Sequence, residues 1–271
     1  MTESRTVAFI QGRMAASRLP GKVLRDLGGQ PMLGRVFERV RRAHTLDQVL
    51  VATTADPSDD PLVAYCHIRG YPVFRGDMFD VLDRFYQAAL QSHAEVIVRI
   101  TADCPVIDPA VIDLVVGEFR RSIPDFAANR LPPPWKRTFP IGLDVEVCTF
   151  AALERAWKEA GQKFQREHVM LYFYEGIPLD AFDMTKTSLA TSPRGFRVLL
   201  VNHIPDCGKM RWTVDAPEDL GLMQKVYDHF KGRDDFSWME VFSLFEHEPN
   251  LANLNAGVEH KSAFDVDRRQ R

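Results

Sequence analysis

Cysteine is scarce in this sequence, and what there is of it is unpaired. Cys66, Cys104, Cys148 and Cys207 are scattered with no C-x-x-C pair. That excludes a zinc ribbon and a disulfide framework, and buried thiols are the expectation because free cysteine packs as a small hydrophobe. No apolar run approaches the roughly 20 residues that span a bilayer. The opening Met1-Thr-Glu-Ser-Arg5 lacks the features of a signal peptide, so a soluble, cytoplasmic protein with no membrane partner is expected. A basic surplus is also missing. The formal net charge is -3, which leaves nothing to neutralise a run of phosphates; nucleic acid is not an expected partner, and basic residues must act locally. Internal repeats and low-complexity stretches are absent, and 271 residues suffice for one large α/β core.

Two glycine signatures are absent as well. A P-loop needs glycine where Ala16 stands and Ser or Thr where Val23 stands, and no dinucleotide fingerprint of three glycines occurs. What the chain has instead is Gln11-Gly-Arg-Met-Ala-Ala-Ser-Arg-Leu-Pro-Gly-Lys22. The buried-strand pattern Val7-Ala-Phe-Ile10 precedes it, and an amphipathic helix follows over Met32 to Ala43, with Leu33, Val36, Phe37 and Val40 on one face. Arg13, Arg18 and Lys22, with Gly12 and Gly21, compose a loop suited to wrapping a polyanion with cations and backbone N–H groups. A nucleoside triphosphate is the expected ligand, against the plainer reading of a solvated basic loop.

Strand and helix patterns then alternate. Val49–Thr53 reads as a strand, and Asp56 to Pro61 starts a helix; Pro72–Phe74 is a short strand before a helix from Val81 to about Ser92. Arg75 and Gly76 fall between the last two, which makes Arg75 a candidate nucleotide contact. Val96–Ile100 ends in Thr101-Ala-Asp103-Cys-Pro105, placing Asp103 at a strand's carboxyl end, where open α/β sheets bind ligands. Asp103 is a candidate metal ligand.

From Asp125 the character changes. Phe126–Asn129 is a strand, and the proline-rich Leu131 to Pro140 is expected as an exposed arm. Gly142 to Val147 alternates, which puts Asp144 and Glu146 on one face of a strand as candidate substrate contacts. A helix from Phe150 to about Gly161 precedes a second from Gln165 through Tyr174, whose consecutive Arg166, Glu167 and His168 fan to different faces. Phe196–Val201 is another buried strand. Arg211 to Leu220 repeats the earlier logic, with a short strand ending in Asp215, the second candidate metal ligand, and Pro217 opening a helix to about Phe230. A helix over Trp238 to Glu246 and a polar tail over 252–271 complete the chain. Asp265-Val-Asp267 in that tail mimics a D-x-D string without supporting context. The organisation is one nucleotide-binding domain over 1–271, with 130–180 as an inserted lobe.

The run Gln11 to Lys22 resembles the opening signature of the sugar-acid cytidylyltransferases, the family of the acylneuraminate and 3-deoxy-manno-octulosonate enzymes. Val98 to Asp108, Pro140 to Val147, Arg166-Glu-His168 and Thr213 to Leu220 are similar to its spore-coat-polysaccharide branch. The resemblance implies an α/β nucleotidyltransferase (Rossmann-like) fold, a mostly parallel sheet flanked by helices with a small lobe for substrate and homodimer contact. It further implies that CTP and a sugar acid react to a CMP-sugar and pyrophosphate, in the service of surface polysaccharide. Gln11, Gly12, Arg13 and Lys22 then stand at the nucleotide, Arg13 and Lys22 as triphosphate cations, and Asp103 and Asp215 hold Mg²⁺. The octulosonate enzymes carry a Gly-Asp-Glu-Pro-type motif where this chain has Ala102-Asp-Cys-Pro105, so Cys104 supplies no carboxylate there. For the acceptor, Arg166, His168 and Arg211 are the available cations, and Asp144 and Glu146 the acceptors for hydroxyls. A nucleotide-sugar-dependent glycosyltransferase and a nucleotide-binding protein without turnover are the alternatives. The arm around Trp135 and Phe139, if exposed, would favour a homodimer.

Overall fold

The apolar run after Arg5 becomes the inner strand β1 (Thr6–Gln11), from which the sheet extends both ways. In this computed structural model, residues 4–259 are described. β1 pairs in parallel with β2 (Gln48–Thr54) and with β4 (Val96–Thr101), and β2 pairs in parallel with β3 (Val73–Gly76). Beyond β4 lies the antiparallel β6 (Glu146–Thr149), then β5 (Phe126–Ala128), which is antiparallel to β6 and parallel to β8 (Arg197–Leu200). β7 (Ser188–Thr191) closes that edge, giving the order β3-β2-β1-β4-β6-β5-β8-β7.

This order positions the site. The chain winds outward from β1 through β2 to β3, then returns to place β4 on the other side of β1. The carboxyl ends of β1 and β4 therefore diverge into separate loops, a topological switch point of the kind where open α/β sheets bind ligands. Gln11 and Thr101 are register partners there. Because β6 runs against both of its neighbours, its amino end, Glu146, lies at the same end of the sheet as the carboxyl ends of β4 and β5.

Alternation along β1 divides the interior. Ala8 and Ile10 face a cluster built with α1 (Met32–Val40), α4 (Pro109–Ser122), α8 (Pro217–His229) and α9 (Trp238–His247). Val7 and Phe9 face a second one with α3 (Val81–Ser92), α5 (Phe150–Glu159) and α7 (Leu171–Tyr174). Helix entries follow from side-chain caps. Asp80 accepts from Asp83 N, Asp108 from Ala110 N ahead of Pro109, and Thr149 from Ala152 N, each satisfying a donor that the first turn leaves open. α2 (Asp60–Arg69) ends on Gly70 in the left-handed conformation.

Several expectations change. The arm over 131–140 is folded in: Leu131, Trp135 and Phe139 are buried, and Trp135 donates its indole N–H to Ile177 O and meets Tyr174 edge-on. Segment 130–180 supplies β6 to the interior of the sheet. The strand expected from Gly142 starts only at Glu146, because the Asn129 amide takes the place of a ladder partner, donating to Leu143 O and accepting from Val145 N. The helix expected from Gln165 to Tyr174 is two, α6 (Lys163–Glu167) and α7, broken at Val169 with φ 53°. Arg211 to Asp215 is irregular rather than a strand, with an isolated bridge, Ile141 to Arg211. In the first part of the polar tail Asn255 is buried; Asp265 and Asp267 lie outside the described residues.

Candidate active site

The loop after β1 runs close to the end of β4. At Gly12 a Cβ would stand 2.8 Å from Ala102 Cβ, so the approach needs glycine. Its next turn is tied down by Asp59, which is wholly buried. One carboxylate oxygen accepts from Met14 N (2.7 Å); the other accepts from Thr53 Oγ1 and from the amide and hydroxyl of Thr54. The loop is thus fastened to the end of β2 by one side chain.

At the loop's far end Lys22 lies between the two aspartates singled out from sequence. Its ammonium donates to Asp103 Oδ2 (2.8 Å), Asp215 Oδ1 (3.0 Å) and Val214 O (2.8 Å). Backbone pairing explains how residues so distant in sequence meet: Val214 N and Thr213 Oγ1 both donate to Asp103 O. Burial favours the neutral amine of Lys22, yet the two carboxylates outweigh it and raise its pKa above the ordinary lysine value. Burial likewise pushes Asp215 up, but Lys22, then Arg18 and Arg211, hold its carboxyl well below the usual carboxylate range. Asp215 Oδ2 receives Arg18 at 3.0 Å and Arg211 at 2.9 Å.

Two clefts adjoin this constellation, with volumes of about 200 and 230 Å³. The first is lined by Gln11, Gly12, Arg13, Lys22, Arg84 and Glu167, among others; the second by Arg99, Arg130, Asp144, Glu146, His168 and Tyr174. Arg18, Thr101, Asp103 and Asp215 line both and form the wall between them. A cationic chamber for a polyanion therefore opens, across two carboxylates, onto a mixed-charge chamber for a second reactant. Nucleotidyl transfer requires such a layout, because the reacting phosphorus must be reached from one side by the acceptor while the other side holds the leaving phosphates.

A family model described as cytidylyltransferase matches residues 7–188. The chain belongs to the cytidylyltransferase family. Among its relatives is an uncharacterised protein of Methanocaldococcus jannaschii, 33% identical over 96% of this chain and 98% of its own length. The 3-deoxy-manno-octulosonate cytidylyltransferase of Anaeromyxobacter dehalogenans is 36% identical over 78% of this chain and 93% of its own. The Bacillus subtilis spore coat polysaccharide biosynthesis protein SpsF is 29% identical over 90% and 95%. Of solved structures, a cytidylyltransferase from Leptospira borgpetersenii superposes with TM-score 0.82 at 28% identity, covering 95% of this chain and all of that one. The fold is that of the nucleotidyltransferases, and the chain is a nucleotidyltransferase enzyme.

In this cytidylyltransferase the candidates divide. Gln11, Gly12, Arg13, Lys22, Asp103 and Asp215 come together at the first cleft, and Asp144, Glu146 and His168 at the second. Three candidates do not serve as expected. Arg75 lies in β3 and is spent on Thr54 O, Asp56 O and Asp60, away from both clefts. Arg166 holds Asp80 and the carbonyls of Trp157 and Ala160, joining α6 to α3 and α5. Arg211 sits behind Asp215, bound to it and to Asp219, and lines neither cleft. The face shared by Asp144 and Glu146 is not that of a strand: Asp144 takes Arg137 at 2.8 Å, with Arg130 at 3.4 Å, and Glu146 is paired with Arg99, which also donates to Gln11.

Sequence reasoning missed Arg84 and Arg130. Arg84 is buried, donates to Asp77 O and Met78 O, and has its pKa lowered to about 10 by burial and the charge of Arg13. Arg130 Nε is buried and lies 3.4 Å from Asp144 Oδ2, an ion pair without hydrogen-bond geometry. Arg130 stands two residues after β5, so the strand-end rule that marks Asp103 also reaches its neighbourhood. The four cysteines are buried free thiols, and Cys104 Sγ touches Thr101 Oγ1 and Asp103 Oδ1.

Among the described residues no cluster of three or more His, Cys, Asp or Glu forms a protein cage for a metal. Two carboxylates beside a polyanion cleft nonetheless suit Mg²⁺, which takes one or two carboxylates and completes its shell with phosphate oxygens and water. Asp103 and Asp215 are the residues that would hold it, and the Lys22 ammonium lies between them. No described helix is long and apolar enough to cross a membrane.

Proposed function

We propose that the enzyme couples CTP to a sugar acid of the nonulosonate type, releasing pyrophosphate and a CMP-sugar used in surface polysaccharide. The single observation that carries this reading is the wall of Asp103 and Asp215, bridged by Lys22, between a cationic cleft and a mixed-charge one. CTP lies in the first cleft with its phosphates among Arg13, Arg18 and Lys22. The acceptor lies in the second, its hydroxyl directed across the wall for in-line attack on the α-phosphorus. Arg130 and His168, which line this cleft, face the acceptor's carboxylate, while Asp144 and Glu146 accept from its hydroxyls. Asp103 and Asp215 would hold Mg²⁺, which would supply charge neutralisation at the phosphates. Transfer of this kind rests on positioning and charge neutralisation, so no nucleophilic side chain is required. The names of the octulosonate relatives and of SpsF support the acceptor class and the polysaccharide role. The proposal includes a homodimer.

Incubation with Mg²⁺, CTP and a panel of sugar acids, followed by pyrophosphate detection, tests the reading. Pyrophosphate release dependent on one of the acids is expected. Release of a nucleoside diphosphate from a nucleotide sugar would place the chain with glycosyltransferases, and CTP binding without turnover would make it a binding protein; either result overturns the proposal.

A further inference from the structure

The polar segment after α9 reaches back to the reaction centre. A short 3-10 helix, Pro249–Leu254, leads to Asn255, which is 5% exposed, although the residues on either side, 252–254 and 256–257, are exposed. An isolated buried amide between exposed neighbours is not there to fill an apolar core. Its side-chain nitrogen has two N–H groups and both are used: one donates to Asp219 Oδ1 (2.8 Å), the other to the main-chain carbonyl of Arg211 (3.1 Å).

Those two partners form the frame behind Asp215. Asp219, wholly buried in the first turn of α8, receives Arg211 on both oxygens, at 2.9 and 3.0 Å. Its Oδ2 also accepts from the main-chain N–H groups of Asp215 and Ala216. Arg211 then reaches Asp215 Oδ2 at 2.9 Å. A planar guanidinium held at two points by one carboxylate has little freedom left, so the direction in which it presents its other Nη2–H is fixed. Asn255 locks the pair from behind by spanning the Arg211 backbone and the Asp219 carboxylate. The same segment touches the loop after β1, where Arg18 donates to Glu259 O while pairing with Asp215.

We infer that Asn255 is a positioning residue for nucleotidyl transfer, acting through Asp219 and Arg211 to set the orientation of the Asp215 carboxylate at the wall between the clefts. The inference rests on the functional reading above. The segment lies beyond residues 7–188, the part matched by the family model. It gives the chain's last described stretch a part in the chemistry.

Two substitutions separate positioning from packing. Asn255→Ala removes the amide and its volume. Asn255→Asp keeps the volume, removes both donors and sets a carboxylate against Asp219. If the side chain orients Asp215, Asn255→Ala lowers kcat roughly 10- to 100-fold, the range for residues that orient ligands from behind, and Asn255→Asp lowers it further. If it only fills space, the order reverses. A second readout does not depend on turnover: Mn²⁺ affinity, by electron paramagnetic resonance with the unreactive α,β-methylene analogue of CTP bound, falls in both variants in the same order. Melting curves confine the comparison to folded protein. Wild-type kcat and Mn²⁺ affinity in both variants, or an Asn255→Asp enzyme better than Asn255→Ala, overturns the inference. A wild-type enzyme that releases no pyrophosphate with any acid defeats the functional reading instead, and the Mn²⁺ titration then decides the role of Asn255 on its own.

Discussion

Lys22 has one charge and two obligations. It neutralises Asp103 and Asp215, and on the proposed reading it meets the phosphates of CTP from the same position. Lys22→Ala leaves the two carboxylates facing each other across the wall with their shared cation gone. Breaking a fully buried pair costs about 3–5 kcal/mol, and with the carboxylate side chains 22% exposed the loss here is smaller, about 1–3 kcal/mol. Turnover falls further than stability, by roughly 10²–10³, because a preorganised charge at the transferring phosphate is removed. Equal rates in Lys22→Ala and wild type at subsaturating CTP would sink the assignment. The pH dependence of stability carries a sign. Asp215 and Asp219 have depressed folded pKa values, each by cationic and hydrogen-bonding partners that outweigh burial. Their contribution is therefore present above the unfolded carboxylate value near 3.9 and is lost on acidification below it. Lys22, raised by the carboxylates against burial, contributes fully below its ordinary 10.5 and loses its share only as pH rises beyond that. Melting temperatures should thus stay level through neutral pH with respect to this cluster and drop toward pH 3, more steeply in wild type than in Asp215→Asn.

At the scale of elements, the loop after β1 is a flexible-looking string made rigid by a residue outside it. Asp59→Ala strands Met14 N, Thr54 N and two threonine hydroxyls in a buried place. Hydrogen bonds to a charged group contribute about 1.5–3 kcal/mol, so a loss of about 3 kcal/mol is expected, together with a higher KM for CTP from a loop no longer held open. Steady-state kinetics on the folded variant check this, and an unchanged KM would mean that the loop is ordered without its anchor. The contrast between Asp59 and its loop shows how far sequence could carry the fold. Strands β1, β2, β4 and β8 are legible because burial on both faces demands consecutive apolar residues, and Asp103 is legible because a polar residue at such a strand's end has few places to go. Asp59 reads as an ordinary helix-entry aspartate, since nothing local reveals that its acceptors face Met14. Proline explains why 131–140 is irregular but is silent on where Trp135 goes, as its hydrogen-bond partner, Ile177 O, lies far along the chain. Arg75 and Arg166 fail for the same reason: a cation's position in sequence does not disclose that carbonyls and carboxylates from other elements have already claimed it.

For the molecule as a whole, the question left by the folded arm is what a second copy would cover. Burial of Trp135 and Phe139 removes the patch first expected to mediate a homodimer. The sheet itself offers another surface, because β7 ends the strand order and, among the described residues, has a partner only on its β8 side. An edge strand presents unpaired N–H and C=O groups, and soluble proteins cover or blunt them. Here the exposed positions of β7 are Leu189, 45% exposed, and Thr191, neither of which carries the charge that would discourage pairing. The first cleft opens where β1 and β4 end and the second extends to Arg130 after β5, two strands in from β7, so edge pairing of two copies leaves both active sites accessible. Light scattering should accordingly give a mass about twice the 30.9 kDa of one chain. Leu189→Lys, which adds an edge charge without touching either cleft, should return the mass to that of the single chain with kcat within about twofold of wild type. A wild-type mass of one chain across micromolar concentrations rules the dimer out, and a dimer that survives Leu189→Lys moves the contact to another face.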